Sequence, residues 1–392
     1  MKRDYEYIVI GCGGIGSGAA YWLARRAGAE VLCLEQFKIG HHHGGSQDHS
    51  RIIRLAYHDA KYARLTPYAY EAWNTVESES DVELVLKTGG VVAAYKDSSH
   101  HRDIEKYAAA MDAAEIEYER LDHDEFIYRY PQFQPPQETE AIYQSQTGLV
   151  DAAKGIATHV ALARGYGATI LDECPVLEIC PQPDNSGVRV VTDRGSFSCR
   201  RLVVAAGAWS NRLLASVGKE LPITVTQEQI TYYATPHLKK FAPGRFPVFQ
   251  WKGEQSIYGF PVYGEVATKA AIDASGSPVT TETRTYEADT VREKQVEDWL
   301  AVHIPDFLGP KLYTKSCLYT LLPDRNFIVD FMPEHPQVAM CIGAGHGYKF
   351  ASLLGQILSE LAIDGKSNYA IEPFSYKRPI LEDKNATLSY RI

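Results

Sequence analysis

The chain has 392 residues, a formal net charge of -9, and 45% hydrophobic and 23% charged residues. This is the balance of a water-soluble globular protein longer than one hydrophobic core usually organises, so two domains are expected. The acidic balance leaves no basic footprint for nucleic acid or anionic lipid, and no apolar stretch approaches the ~20 residues that a bilayer crossing needs. Seven cysteines without a C-x-x-C pair argue for a reducing compartment and against a zinc centre. With no apolar leader ahead of the first strand, a cytoplasmic location is expected.

The first element is the most informative. An apolar run, Tyr7-Ile8-Val9-Ile10, leads into Gly11-Cys12-Gly13-Gly14-Ile15-Gly16, a helical stretch, a second apolar run, Val31-Leu32-Cys33-Leu34, and the acid Glu35 followed by Gln36. This is a dinucleotide-binding βαβ pattern. Gly11 allows the turn out of the strand, Gly13 lets backbone approach a pyrophosphate, Gly16 lets the helix pack on the sheet, and the helix N-terminus offers free N–H groups. Glu35 stands where a carboxylate can accept hydrogen bonds from ribose hydroxyls. The motif suits NAD and FAD alike.

Two later segments repeat the strand-to-glycine logic. Residues 187–199 alternate like a hairpin and run into Arg201-Leu202-Val203-Val204-Ala205-Ala206-Gly207-Ala208-Trp209, with a helix expected next. Val338-Ala339-Met340-Cys341-Ile342-Gly343-Ala344-Gly345-His346-Gly347 ends in a glycine turn before an amphipathic run from Phe350 to Ile363, again aiming N–H groups and a positive dipole end at an acceptor. Three distant pieces, 1–85, 145–220 and 315–392, are read as one discontinuous cofactor domain. The segments 86–144 and 221–314 alternate in the β manner, as in Ile223 to Tyr233, and read as a mostly antiparallel substrate domain. The expected fold class is α/β (α+β), with a Rossmann-like cofactor domain. The split favours a flavoprotein over an NAD-dependent dehydrogenase, whose cofactor domain is usually one block.

The N-terminal unit, Ser50-Arg51-Ile52-Ile53-Arg54-Leu55-Ala56-Tyr57, Ser316-Cys317-Leu318-Tyr319-Thr320 with Pro323-Asp324, and Gly345-His346-Gly347-Tyr348-Lys349-Phe350 together resemble the monomeric sarcosine oxidase family of flavin amine oxidases. That family includes N-methyltryptophan, pipecolate and fructosyl-amino-acid oxidases. The resemblance implies FAD held covalently through Cys317, with Gly11, Gly13, Gly14, Ile15, Gly16, Glu35, Gln36, Ser50, Arg51, Ala206, Gly207, Trp209, Gly343, Gly345, His346, Gly347 and Lys349 around the cofactor. It also implies a monomer whose partners are a small amino acid and O2.

The same resemblance assigns roles. Arg54 and Lys349 are expected to hold the substrate carboxylate and Arg51 to lie by the flavin ring; the spacing would put both arginines on one face of a helix. Lys269 is expected to promote reaction with oxygen, since fixed positive charge stabilises a developing superoxide; the plainer reading is an edge-strand lysine that deters aggregation. Tyr258 is expected beside the substrate amine and Tyr319 near the flavin. Asp273 stands where the sarcosine oxidases have a histidine, and an acid there is similar to the fructosyl-amino-acid oxidases. His41-His42-His43 read as a solvent-facing loop near the flavin, with no metal. The expected function is oxidation of secondary, N-alkyl or cyclic amino acids by hydride transfer to FAD, yielding an imine and H2O2. Fructosyl-amino-acid and pipecolate-type oxidation are the alternatives within the family. A FAD dehydrogenase and an NAD-dependent dehydrogenase are more remote.

Overall fold

The computed structural model describes residues 2–96, 100–383 and 386–389. Two large sheets dominate it. The first has eight strands, with Asp4–Ile10 at its centre, paired in parallel to Val31–Leu34 on one side and to Gly195–Val204 on the other. His335–Ile342 adds in parallel beyond Gly195–Val204, so all three strand-to-glycine segments read from the sequence end in one sheet. The central strands are apolar almost without interruption because helices cover them: Ile8, Val9, Leu32, Cys33, Leu202 and Val203 are fully buried.

Two helices pack on this sheet against each other. Gly14–Ala27 follows the glycine turn, and Ala351–Asp364 follows the last one. They cross so closely that a Cβ on Gly355 would stand 2.3 Å from the carbonyl carbon of Gly18. Gly16 is equally constrained, its missing Cβ lying 1.8 Å from the Gly11 carbonyl oxygen. Glycine at these positions sets the distance between helix, turn and sheet.

The second sheet has nine strands and is mostly antiparallel, as expected; the exception is Val248–Lys252, which runs parallel to Gly90–Tyr95. Its longest pairing joins Thr224–Tyr233 to Lys311–Leu321, placing Glu228 opposite Cys317. Thr268–Ile272 is flanked by Thr224–Tyr233 and Ile257–Phe260, which makes it an interior strand rather than an edge. The segment 86–144 also contains helices His101–Asp112 and His123–Arg129, which its alternating pattern did not announce.

A third, small sheet corrects another expectation. Arg51–Ile53 is a strand paired with Gly148–Val150, so Arg51 and Arg54 do not share a helical face. The β-branched pair Ile52-Ile53 favours the extended form, and Arg54 follows the last residue of the strand. No helix among the described residues is long and apolar enough to cross a membrane.

Because the Gly18–Gly355 crossing leaves no room for a methyl group, Gly355→Ala is expected to cost about 1–3 kcal/mol. A fall in the denaturant midpoint with an unchanged slope checks this; an unchanged midpoint would show that the helices can part freely.

Candidate active site

A single elongated cavity runs from the glycine turn of the first sheet to the face of the second. Its wall includes Gly11, Gly13, Gly14, Ile15, Glu35, Gln36, Ser50, Arg51, Ala206, Gly207 and Trp209, and further along Tyr258, Asp273, Cys317, Tyr319, Gly343, Gly345, His346, Gly347, Lys349 and Arg54. Of the residues expected at the site, only Gly16 and Lys269 stand behind the wall rather than on it.

The nucleotide end is built by backbone. Gly13 caps Gly14–Ala27 without a side-chain hydrogen bond, and the first helical turn carries no acid. Its N–H groups and dipole end therefore face the cavity unspent, the arrangement that receives a phosphate. Glu35 is 4% exposed and accepts N–H bonds from Cys12 at 2.8 Å and Phe37 at 3.0 Å. Burial pushes its carboxyl up, but His41 and these N–H donors outweigh that and hold it below the usual range. It is thus an anion with lone pairs available to hydroxyl donors. His41 is turned in toward Glu35 at 3.4 Å, and His43 stacks by Phe37. The expectation of a solvent-facing triplet holds only for His42, because Phe37 and Trp209 form an aromatic patch against which the other imidazoles pack. These groups fit the pyrophosphate and ribose of a dinucleotide such as FAD.

At the opposite end, positive charge is gathered out of water. Arg54 is 5% exposed, stacked over Tyr57 at 4.7 Å and Tyr107 at 5.4 Å, and its Nε and Nη1 have no hydrogen-bond partner among the described residues. Lys349 Nζ donates to the His346 carbonyl at 3.0 Å and lies 5.6 Å from the Tyr57 ring. Burial, then the neighbouring Arg54, pulls the Lys349 ammonium well below its ordinary range. A buried guanidinium with two unmet donors is costly to maintain. Arg54 and Lys349 thus place two buried cations on one stretch of the cavity wall.

Between the ends lie Cys317, Tyr258, Tyr319 and Arg51. Burial pushes the Cys317 thiol up to about 11, and Arg51 offsets part of that. Arg51 donates to the Ser50 carbonyl at 3.0 Å and lies 3.9 Å from Asp48. Tyr258 and Tyr319 are both raised by burial and stay neutral. Asp273 approaches Arg325 at 3.9 Å. Lys269, 1% exposed, donates to Asp48 at 2.6 Å and to the Ser50 carbonyl and hydroxyl at 3.0 and 2.9 Å. It touches the cavity wall through Ser50.

Several members of this site carry no sequence signal. Asp48 sits in a glycine- and histidine-rich loop with no periodicity, and Tyr57 and Tyr107 are two of 25 tyrosines. Gln250 and Glu228 also line the cavity. Their strand alternation marks them as facing one side, yet nothing in the residue types distinguishes that side from a core.

Known proteins agree with this geometry. Residues 6–361 match the family model DAO, FAD dependent oxidoreductase. The chain is 33% identical over 387 residues to monomeric sarcosine oxidase of Streptomyces avermitilis, covering 96% of this chain and 98% of the relative. It is 29% identical over 381 residues to N-methyl-L-tryptophan oxidase of Escherichia coli, covering 95% and 99%. Among solved structures, NikD, an unusual amino acid oxidase essential for nikkomycin biosynthesis, superposes with a TM-score of 0.83 at 27% identity, covering 95% of this chain and 98% of that one. An unspent helix N-terminus, a buried acid on the cavity wall and a full-length match to such enzymes lead to one conclusion: the chain belongs to the FAD dependent oxidoreductase family and is an enzyme of that family related to the monomeric sarcosine oxidases.

Proposed function

We propose that the chain is an oxidase of secondary amino acids that carries FAD as a thioether on Cys317 and reduces O2 to H2O2. The observation that carries this reading is the clamp of Arg54 and Lys349, buried with donors unmet on the same cavity wall as Cys317. Held by the glycine turn, Glu35 and Cys317 on the cavity wall, FAD would supply a two-electron acceptor for the substrate C–H next to nitrogen and a donor to oxygen.

The protein's own groups supply positioning and electrostatics. The Arg54 fork takes the substrate carboxylate through its unmet Nε and Nη1 donors, and the Lys349 ammonium adds a compact charge. A carboxylate there restores the protonated form of Lys349 that burial disfavours. With the acid end fixed, the amine and its neighbouring C–H lie along the wall formed by Tyr258 and Tyr319, both neutral and able to donate through their hydroxyls. Orientation of this kind supplies much of the rate. Arg51 on the cavity wall and Lys269 behind Ser50 hold positive charge that stabilises an anion developing on oxygen. The imine product hydrolyses in water to a carbonyl compound and an amine, or remains cyclic if the substrate was a ring.

In this reading residues 1–85, 145–220 and 315–392 form the cofactor domain and 86–144 and 221–314 the substrate domain. Cys317 is carried to the boundary on a strand of the second sheet. Asp273 on the cavity wall favours a second possibility for the substituent on nitrogen. A carboxylate at that place accepts hydrogen bonds from hydroxyl groups, as on a fructosyl-amino acid, and it raises the pKa of a bound ammonium.

Three outcomes are expected. Cys317→Ser should release yellow colour into the supernatant on acid precipitation, while wild-type colour stays in the pellet; yellow wild-type supernatant refutes the thioether. Arg54→Met leaves a buried carboxylate half-held and should lower kcat/KM for amino acid substrates by about 2–5 kcal/mol, at least ~30-fold. Lys269→Met should slow reoxidation by O2 about 10²–10³-fold in stopped flow while leaving anaerobic reduction nearly unchanged. An equal loss in both half-reactions would remove Lys269 from the oxygen step.

A further inference from the structure

The clamp explains Arg54 and Lys349, but not why a carboxylate is buried behind the oxygen-facing wall. Asp48 has a side chain 1% exposed and is held from four directions. Lys269 Nζ lies 2.6 Å from Oδ2, the Tyr232 hydroxyl donates to it at 2.8 Å, Lys315 Nζ lies 3.0 Å from Oδ1, and Arg51 stands at 3.9 Å. The Lys269 ammonium is ion-paired to Asp48 and donates to the Ser50 carbonyl and hydroxyl. A long flexible side chain is thus fixed in one pose, with its charge beside a residue that lines the cavity.

We propose that Asp48 is the positioning residue of Lys269: its carboxylate keeps the buried ammonium charged and locked against Ser50, where that charge serves the reduction of oxygen. The inference rests on the oxidase reading above and adds to it a residue that does not itself touch the cavity wall. The chemistry stays balanced, since the substrate gives up a hydride and a proton on becoming an imine and O2 takes up their equivalent as H2O2. Lys269 contributes charge and no atom.

The electrostatics agree with the geometry. Burial pulls the Lys269 ammonium down to about 8, Asp48 pulls it up, and Arg51 and Lys315 pull it down. Burial likewise pushes Asp48 up, but Lys269, Arg51 and Lys315 outweigh it and hold the carboxyl well below the usual range. Asp48 therefore remains an anion at every working pH. The groups facing Lys269 from the packed elements are Asp48 and Ser50 on the loop, Arg51 on its short strand, Tyr232, Lys315 and the Phe260 ring at 4.8 Å. Beyond them, Glu265 lies 3.9 Å from Lys315 and 3.2 Å from His49. Of the anions in this set, Asp48 alone contacts the ammonium.

The sign follows directly. Lys269 is charged below its midpoint and loses that charge as pH rises through it, so removing Asp48 moves the midpoint down and removing Lys315 moves it up. The test titrates the Lys269 side-chain nitrogen by 15N NMR in the purified holoenzyme, with the signal assigned by its loss in Lys269→Met. Asp48→Asn should lower the midpoint by about 1–3 pH units, and the pH profile of reoxidation by O2 should move with it while anaerobic reduction keeps its profile. Lys315→Met should raise the midpoint by a smaller amount, because that ammonium is 32% exposed and partly screened.

An unchanged midpoint in Asp48→Asn, or an unchanged or lowered one in Lys315→Met, overturns the proposal. If Asp48→Asn fails to fold, Lys315→Met decides alone. Midpoints that shift as expected in a protein that never reduces oxygen would sink the oxidase reading while supporting the hold of Asp48 on Lys269.

Discussion

Positive charge kept out of water is the constraint on which this structure turns. A buried cation must find hydrogen-bond acceptors or an opposite charge, or give up its proton. Four cations near one cavity meet that demand in different ways. Lys269 pairs with Asp48 and donates twice to Ser50, Arg51 is met by carbonyls and a more distant carboxylate, and Lys349 keeps one carbonyl. Arg54 lies on tyrosine faces with two nitrogens unmet. In the proposed reading the unmet end takes the ligand anion, and the paired end supplies a fixed field.

The fold exists to bring these ends together around one long cofactor. The first sheet contributes backbone, namely a helix N-terminus free of side-chain caps and a buried acid at the end of the adjacent strand. The second sheet contributes side chains at defined registers, which is why Cys317 stands opposite Glu228 and Tyr319, two residues along the same strand, stands opposite Thr226. Packing between Gly14–Ala27 and Ala351–Asp364 ties the first glycine turn to the last, so the two turns keep their spacing. Stability and site geometry therefore share the same close contacts.

Much of this was legible in the residues. The glycine turn, its flanking strands and Glu35 form a local pattern whose physics is complete within thirty residues, and the later strand-to-glycine segments announce themselves by the same signature. The motif residues from Arg51 to Lys349 carried the resemblance, and most of them line the cavity. What escaped was set by tertiary contact. Arg51 and Arg54 look helical by spacing, yet pairing with Gly148–Val150 draws Arg51–Ile53 into a strand. Asp48 offers a lone acid in a loop, and only the folding of Lys269, Tyr232 and Lys315 around it gives it meaning. Tyr57 and Tyr107 are ordinary core tyrosines until Arg54 is placed on their faces.

The central claim is that a flavin sits in this cavity, tethered at Cys317 and facing the cationic clamp. Mass spectrometry of the peptide bearing Cys317, taken from protein digested without prior reduction, tests it most directly. The account predicts a peptide heavier by one FAD less two hydrogen atoms, absorbing in the visible. A colourless Cys317 peptide of unmodified mass, recovered from fully yellow protein, would contradict it.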